Sequence, residues 1–258
     1  MDLNIIVCVK SVVLEAPKGR VVRSSESCEL NPFDRPVLEV ALNLREAHGG
    51  KITAISMGPE ASALALIETM ALGIDRSILI SDPALAGSDT LVTSTALAAA
   101  IQKIAPFDLV LFGTRTADSD TGQVGPQTAS LLNLPLVTWA HSIEPVKSGL
   151  LVKRRADGFQ ETFELSFPAI LTIHHSSIQP RDAGLLGIES AFAEPKVENW
   201  NLKQLGLTAE QVGEQGSPTR VLSLKRVKKE RKCEFLSGSA EEQVEELIRR
   251  FVDTGMVG

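Results

Sequence analysis

The sequence predicts an α/β fold built on a parallel sheet. Four short apolar runs alternate with segments of helical periodicity as far as residue 113. Strands that alternate with helices in this way favour a parallel sheet with helices on both faces and right-handed crossovers. Further along, Asp157-Gly158 between two alternating runs predicts a hairpin. An amphipathic pattern near the end of the chain predicts a C-terminal helix.

The elements of the main sheet are predicted along the first two thirds of the chain. The strands are residues 3–9, 52–57, 77–81 and 109–113, with 135–140 as a candidate fifth strand. The helices between them are about 34–48, 60–72 and 88–104. A hairpin over 150–165 and an apolar strand over 167–173, which returns to the sheet, complete this part.

The link between the first strand and the first helix is long. Residues 11–30 form a loop of a length that is usually functional or mobile in a compact domain. Asn31 then precedes Pro32, which predicts a helix capped by Asn31 with Pro32 at its first position. Such a cap explains Asn31 without any ligand.

The last third of the chain has a different character. Residues 178–218 lack clear periodicity and contain several prolines and glycines, so we predict an extended excursion. A strand-like run over 220–224 leads into the basic stretch 225–232, which is either a solvated face or a partner contact. The amphipathic helix is predicted over 240–252, with Ser237 or Ser239 as its cap.

Composition argues against several classes of function. The net charge is −6 and aromatic residues make up only 4%, so we expect no binding to nucleic acid. No apolar run approaches the roughly 18 residues of a membrane span, and no signal-like segment is present. Cys8, Cys28 and Cys233 are far apart, and the four histidines lack ligand spacing. We therefore expect a cytoplasmic protein without disulfides, a bound metal or membrane insertion.

The segment 113–135 carries the strongest functional signal. It starts where a buried strand ends, continues as a small, polar, turn-rich loop and regains apolar residues at helical spacing. Parallel α/β sheets bind ligands at such junctions. Backbone N–H groups from Gln123 onward suit a phosphate, with Thr121 as a helix cap or phosphate ligand. Gly122 and Gly125 would let the ligand approach the backbone closely. An ordinary capped loop is the alternative interpretation.

A second candidate ligand-facing loop, His174-His175-Ser176-Ser177, follows the apolar strand 167–173. A histidine pair at the end of a strand is more often structural than functional, so both interpretations stay open.

Several short motifs, taken in their order and spacing, carry a family resemblance. They are Val7-Cys8-Val9-Lys10, Asn31-Pro32-Phe33-Asp34, Ser56-Met57-Gly58-Pro59, Ala71-Leu72-Gly73-Ile74-Asp75-Arg76, the 113–127 stretch, Phe167-Pro168-Ala169-Ile170-Leu171-Thr172, and Gln179-Pro180-Arg181 with Leu185. The chain resembles the beta subunit of electron-transfer flavoproteins over almost its whole length. Each motif alone is weak, and the specificity lies in the combination.

The resemblance implies an adenine-nucleotide alpha-hydrolase-like domain over 1–177, a partner-recognition excursion over 178–218, and a C-terminal part, 219–258, that packs on a partner. The partner is an alpha subunit, which holds the electron-carrying FAD of the heterodimer. The resemblance also implies that this chain binds a second nucleotide, with the backbone of 121–125 at its phosphates and Cys8 as a small packing residue. By matching positions, the residues of this second site are Cys8, Asn31, Pro32, Met57, Asp118, Asp120, Thr121, Gly122, Gln123, Val124, Gly125 and Thr128.

Members of this family divide on the nucleotide in the beta subunit. Ordinary members hold AMP as a structural ligand, whereas electron-bifurcating members hold a second FAD, which exchanges hydride with NAD(H). The run Asp118-Ser119-Asp120-Thr121-Gly122-Gln123-Val124-Gly125-Pro126 is similar to the bifurcating pattern. The ordinary pattern has an Asn before the Gln and a Thr after it. We therefore favour FAD, with AMP as the alternative.

The partner-recognition region departs from the family pattern. The family carries a Leu anchor after Glu-Pro-Arg, followed by several lysines, and docks on an acyl-CoA-dehydrogenase-type flavoprotein. Here Gln179 replaces the Glu, Arg181 is retained, Leu185 stands at the anchor position, and 187–195 contains no lysine. The resemblance implies that Arg181 and Leu185 contact the partner, with altered electrostatics of docking.

Other classes of nucleotide-binding protein fit less well. A P-loop ATPase lacks its Gly-x-x-x-x-Gly-Lys-Ser/Thr motif here, and a Rossmann dehydrogenase lacks Gly-x-Gly-x-x-Gly after the first strand. A stand-alone nucleotide-binding signalling protein would leave 178–218 and the C-terminal helix unexplained. A redox-inactive subunit with bound AMP would have the same fold.

Overall fold

A computed structural model describes residues 2–14, 27–147, 149–220, 222 and 233–256. The chain forms two compact units, residues 1–221 and residues 222–258. The larger unit contains the sheet and the helices that cover it. The smaller unit contains the C-terminal helix.

A nine-stranded sheet forms the centre of the larger unit within the described residues. The strands in chain order are β1 Leu3–Cys8, β2 Ser11–Val12, β3 Glu29–Leu30, β4 Gly50–Met57, β5 Arg76–Ile80, β6 Leu109–Gly113, β7 Leu136–Val146, β8 Gly149–Ala156, β9 Phe159–Leu165, β10 Ala169–Ile173 and β11 Val197–Trp200. Their order in the sheet is β11-β5-β4-β1-β6-β10-β7-β8-β9, and β2 pairs separately with β3. Neighbours from β11 to β7 are parallel, and β7, β8 and β9 continue as an antiparallel meander.

Helices cover both faces of the parallel part. The helices in chain order are α1 Arg35–His48, α2 Ala63–Ala71, α3 Thr90–Ile104, α4 Val124–Leu132, α5 Leu185–Ala193, α6 Leu202–Leu205, α7 Gly213–Gly216 and α8 Ala240–Asp253. One apolar core unites one face of the sheet with α1 and α2, and a second core unites the other face with α3 and α4. The predicted α/β class, with helices on both faces of a parallel sheet, is confirmed.

The first helix starts later than the sequence predicted. Helix α1 begins at Arg35, with Asp34 rather than Asn31 at its N-cap position and Pro36 in its first turn. The side chain of Asn31 instead accepts a hydrogen bond from the Ala117 N–H and donates to the Arg115 carbonyl. The expected Asn31 cap with Pro32 at the first helical position is therefore wrong, because the Asn31 amide is committed to a loop distant in sequence.

Residues 178–218 differ from the extended excursion that the sequence predicted. They contain α5, β11, α6 and α7, and β11 adds to the outer edge of the sheet by pairing parallel to β5. Trp200, Leu202 and Val212 are buried in the second core. These elements are only four to nine residues long, so the apolar pattern of each is too short to reveal its period.

The hairpin prediction is confirmed and extended. Asp157 and Gly158 form the turn between β8 and β9, with φ values of 50° and 82°. These left-handed values suit a two-residue hairpin turn. The candidate fifth strand is longer than predicted, since β7 reaches Val146 and pairs with β8 as well as β10.

The smaller unit contains the predicted C-terminal helix. Helix α8 is closed at its start by a capping box between Ser239 and Glu242, so Ser239 is the cap. The strand-like run 220–224, apart from Arg220 and Leu222, and the basic stretch 225–232 lie outside the described residues. In the described ranges, no helix is both long enough and apolar enough to cross a membrane.

Candidate functional site

The carboxyl edge of the sheet opens between β1 and β6. From β1 the chain adds β4 and β5 on one side, then crosses to add β6 on the other side. Ligands of α/β proteins bind at such a switch point, because the loops that follow the two strands diverge and leave a crevice. Cys8, the last residue of β1, is in register with Phe112 of β6, so the loops after both strands start beside each other.

The loop between β6 and α4 combines a left-handed turn with an open helix start. Asp120 and Gly122 have positive φ values of 52° and 63°. Helix α4 begins at Val124, and the residue at its N-cap position, Gln123, makes no side-chain cap bond. The N–H groups of the first turn therefore remain available to an anion, apart from Pro126, which has none. Thr121, which the sequence predicted as a helix cap or a phosphate ligand, does not occupy the cap position, which leaves the second role as a prediction.

Lys10 joins the loop after β1 to the loop after β6. Its Nζ donates to Asp118 Oδ1 at 2.7 Å and to Ser119 Oγ at 2.9 Å. The Asn31 amide fixes the backbone of the same loop at Arg115 and Ala117. Lys10 is not among the site residues predicted from the sequence. Its position directly after the first strand was the sequence signal that could have pointed to it.

Asp34 is a buried carboxylate beneath this crevice and was also missed. Its Oδ2 accepts a hydrogen bond from the Lys10 backbone N–H at 2.7 Å. Burial raises the pKa of Asp34 to about 7, although the hydrogen bonds from Lys10 and Asn31 act in the opposite direction. Gly113 leaves room for this carboxylate, because a Cβ there would lie 2.4 Å from Asp34 Oδ1. Asp34 thus fixes the start of the loop that follows β1 and adds a titratable group to the site.

The predicted site residues differ in exposure. Pro32, Asp118, Asp120, Thr121, Gly122 and Gln123 are exposed, Met57 and Val124 are half-buried, and Cys8, Asn31, Gly125 and Thr128 are buried. Cys8 and Met57 end the neighbouring strands β1 and β4, so both lie at the carboxyl edge of the sheet. Burial, with Asp34 nearby, raises the pKa of the Cys8 thiol well above its usual value, which keeps it protonated.

Gly125 and Thr128 lie on the inner side of α4. A Cβ at Gly125 would lie 3.0 Å from the Thr172 methyl and 3.2 Å from the Phe112 ring. Glycine at this position therefore allows close packing of α4 on the sheet, whereas the sequence suggested close approach of a ligand. Thr128 Oγ1 donates to the Val124 carbonyl at 2.7 Å, so its hydroxyl serves the helix. The N–H of Gly125 belongs to the open first turn.

The loop after β10 carries a stack of imidazole rings. His174 stacks against His141 and His175, each with ring centroids 4.3 Å apart, and against Trp139 at 5.4 Å. His175 in turn meets the edge of Phe33 at 5.8 Å. Among the residues that the structure describes, neither these histidines nor any other group of three or more His, Cys, Asp or Glu side chains is arranged to hold a metal ion. The aromatic and imidazole rings are thus in continuous contact beside the carboxyl end of β10.

The two residues predicted to recognise a partner have different surroundings. Arg181 binds α1 of its own chain, with its Nε 2.8 Å from Glu39 and its Nη1 2.6 Å from Glu46. This guanidinium lowers the pKa of the Glu39 carboxyl. Leu185 opens α5 and is 85% exposed, and its neighbour Leu186 is 82% exposed. Arg181 therefore fixes the segment that presents the leucines.

A family model described as "Electron transfer flavoprotein domain" matches residues 18–205 of this chain. The chain belongs to the electron transfer flavoprotein family. It is similar to the electron transfer flavoprotein subunit beta of Thermoanaerobacterium thermosaccharolyticum, with 35% identity over 96% of this chain and 97% of that protein. This likeness over the full length identifies the chain as a beta subunit of the family.

Two relatives of this electron transfer flavoprotein subunit have names that mention reductases. The caffeyl-CoA reductase-Etf complex subunit CarD of Acetobacterium woodii is 35% identical over 85% of this chain and 86% of its own length. The acryloyl-CoA reductase electron transfer subunit gamma of Anaerotignum propionicum is 32% identical over 99% of this chain and 100% of its own length.

Proposed function

We propose that this beta subunit binds FAD in the crevice between β1 and β6 and exchanges hydride with NAD(H) there, as part of an electron-bifurcating flavoprotein. The observation that carries the proposal is the open first turn of α4 at the switch point of the sheet, reached through the left-handed turn at Asp120 and Gly122. Backbone N–H groups in this arrangement bind a pyrophosphate closely.

The residues around the crevice fit a dinucleotide. Lys10 and Asn31 hold the loop after β6 in place, so little ordering remains to be done when the ligand binds. Cys8 and Met57, at the ends of β1 and β4, offer apolar side chains that suit an adenosine. FAD bound here would supply hydride acceptance and one-electron transfer. The chain itself would hold the phosphates through the N–H groups at the start of α4 and would orient the rings.

AMP as a structural ligand is the alternative. The same helix start would bind a single phosphate, and the subunit would then stabilise its partner without redox chemistry of its own. The run 118–126, which resembles the bifurcating pattern, supports FAD over AMP.

We propose that the chain works in a heterodimer with an alpha subunit that holds a further FAD. Helix α8 supports this proposal, because Val244, Leu247, Ile248 and Phe251 share one face and none is buried. An obligate pair of this kind typically buries more than about 2,000 Å². A cytoplasmic location stays a prediction.

We propose that an acyl-CoA-dehydrogenase-type flavoprotein or a related reductase exchanges electrons with the heterodimer. The names of the relatives from Acetobacterium woodii and Anaerotignum propionicum support a CoA-thioester reductase as partner. The exposed Leu185 at the start of α5 supports this docking site, since an apolar side chain so exposed gains from burial in a partner's pocket.

The nucleotides released from the purified heterodimer test the cofactor proposal. After denaturation, chromatography with mass detection should give two FAD molecules per heterodimer. One FAD and one AMP would overturn the bifurcating proposal and support the alternative of a structural nucleotide. No nucleotide beyond a single FAD would contradict both.

A further inference from the structure

A basic cavity lies on the antiparallel meander and shares no residue with the 118–128 loop. Its volume is about 360 Å³, and its lining includes His141, Ser142, Lys153, Arg154, Arg155 and Ser176. We propose that this cavity is a binding site for an oxyanion, namely the phosphoryl group of a small ligand. The proposal does not depend on which nucleotide the beta subunit holds.

The charges of the lining are the first reason. Three neighbouring residues of β8 are cations, and no carboxylate lines the cavity. Arg154 is partly neutralised, because its Nε lies 2.5 Å from Glu161 Oε2 and its Nη1 donates to Thr138. The side chains of Lys153 and Arg155 form no ion pair or hydrogen bond with any described residue, and their backbones pair only within the sheet. They project from the same side of β8, because side chains alternate along a strand. Two cations left without a counter-charge on one concave surface favour a bound anion.

The hydrogen-bonding groups are the second reason. The pairing of β7 with β8 shifts between Ala140 and Ser142, which leaves His141 as the extra residue of a bulge. A bulge redirects a side chain, and here it brings an imidazole to the cavity. Ser142 and Ser176 add two hydroxyls to the lining. Hydroxyls, an imidazole and guanidinium groups around one cavity are the donors that a phosphoryl group accepts from.

The electrostatics of the histidines agree with a positive field in this cavity. Burial, followed by the charge of Arg155 and then by His175, lowers the pKa of His141. Burial and the neighbouring His141, His175 and Arg115 lower the pKa of His174. An anion in the cavity would oppose these charges and raise the pKa of His141, which gives the site a spectroscopic reporter.

The size of the cavity and its rim suggest the kind of ligand. A volume of about 360 Å³ exceeds that of a free phosphate and lies in the range of small-molecule sites. Trp139, which is 52% exposed, stacks on His174, and His174 in turn stacks on His141 of the lining, so these rings continue the surface of the cavity with a flat apolar face. A phosphate ester with a planar organic part would use both features. Inorganic phosphate would use only the first.

Calorimetry on the purified heterodimer, loaded with its nucleotides and then freed of unbound FAD and AMP by gel filtration, tests the proposal. The probes are inorganic phosphate, pyrophosphate and a planar phosphate ester, pyridoxal 5′-phosphate reduced to its unreactive alcohol, all at low and constant ionic strength. We expect saturable binding of all three probes, with the ester tightest. The double variant Lys153→Gln/Arg155→Gln should weaken each affinity at least tenfold. The charge-matched control Lys51→Gln/Lys196→Gln, at two exposed lysines outside the cavity, should leave each affinity unchanged.

Histidine NMR on the same protein locates the bound ion. Phosphate should raise the pKa of His141 in the wild type, and Arg155→Gln should raise it without any ligand. Absence of saturable binding, equal losses in both double variants, or binding without a change at His141 would each overturn the proposal. If no probe binds but Lys153→Gln/Arg155→Gln weakens association with the alpha subunit, the basic face serves a protein and the phosphoryl site is refuted.

Discussion

The side chains of two regions, the crevice between β1 and β6 and the start of α5, differ in how far they are bonded or buried within this chain. In the crevice, Lys10, Asn31 and Asp34 all bond to groups of the same chain that are distant in sequence. On α5, Leu185 and Leu186 are almost fully exposed, although Arg181 anchors the preceding segment to α1. The crevice is thus organised by contacts within this chain, whereas the described residues of this chain leave the leucines of α5 exposed. Mutations should accordingly affect nucleotide content in the first region and partner kinetics in the second.

The largest effect is expected from Gly125→Val. Its side chain would collide with Thr172 and Phe112, which lie 3.0 Å and 3.2 Å from a Cβ at this position. Displacement of α4 from the sheet should lower the free energy of unfolding by about 1–3 kcal/mol. The helix start would move as well, so the nucleotide should be lost. Denaturant unfolding and nucleotide analysis measure both effects. Gly184→Val is the matched control, because nothing lies within 4 Å of a Cβ there.

Leu185→Ala should act only on the second region. Truncation of a leucine that fills a partner's pocket typically costs about 2 kcal/mol, or roughly a thirtyfold loss of affinity. The rate of electron transfer to the dehydrogenase should fall at low partner concentration, while flavin content and Tm stay unchanged. Leu131→Ala, at another exposed leucine, is the control. Partner kinetics equal to those of the wild type would remove Leu185 from the recognition role.

The isolated beta subunit should be a poor monomer, since the apolar faces of α5 and α8 stay unburied without a partner. Sedimentation of the chain expressed alone should reveal self-association or partial unfolding. A stable, fully folded monomer would show that neither face needs a partner.

A smaller, pH-dependent effect is expected from Asp34→Asn. The folded-state pKa of about 7 lies above the value of an unfolded aspartate, so the native state retains the proton in between. Stability is then present at low pH and is lost as the pH rises through about 4 to 7. The Tm of the wild type should decline over this window, and that of Asp34→Asn should decline less. The same dependence of Tm on pH in both proteins would mean that ionisation of Asp34 does not destabilise the folded state.

The sequence predicted the parallel sheet and the 113–135 loop because buried strands and helix starts leave local patterns. The contact of Lys10 with Asp118 could not be predicted from the sequence, because this contact depends on β6 lying beside β1 rather than beside β5. The bulge at His141 could not be predicted either, because a shift of register between two strands leaves no pattern in the sequence of the strand that contains it. The fold of 178–218 escaped prediction because its elements are too short to reveal a period.

The flavin count of the heterodimer, compared between the wild type, Thr121→Pro and Asp120→Ala, tests the central claim most directly. Thr121→Pro removes a backbone N–H and a hydroxyl from the loop before α4, so it should strip the beta-site nucleotide. Asp120→Ala removes only an exposed carboxylate near Arg115, so the loss should be weaker. If FAD binds in this crevice, we expect two flavins in the wild type, one in Thr121→Pro, and loss of flavin reduction by NADH in that variant. One flavin with stoichiometric AMP in the wild type, or an unchanged count of two in Thr121→Pro, would contradict it.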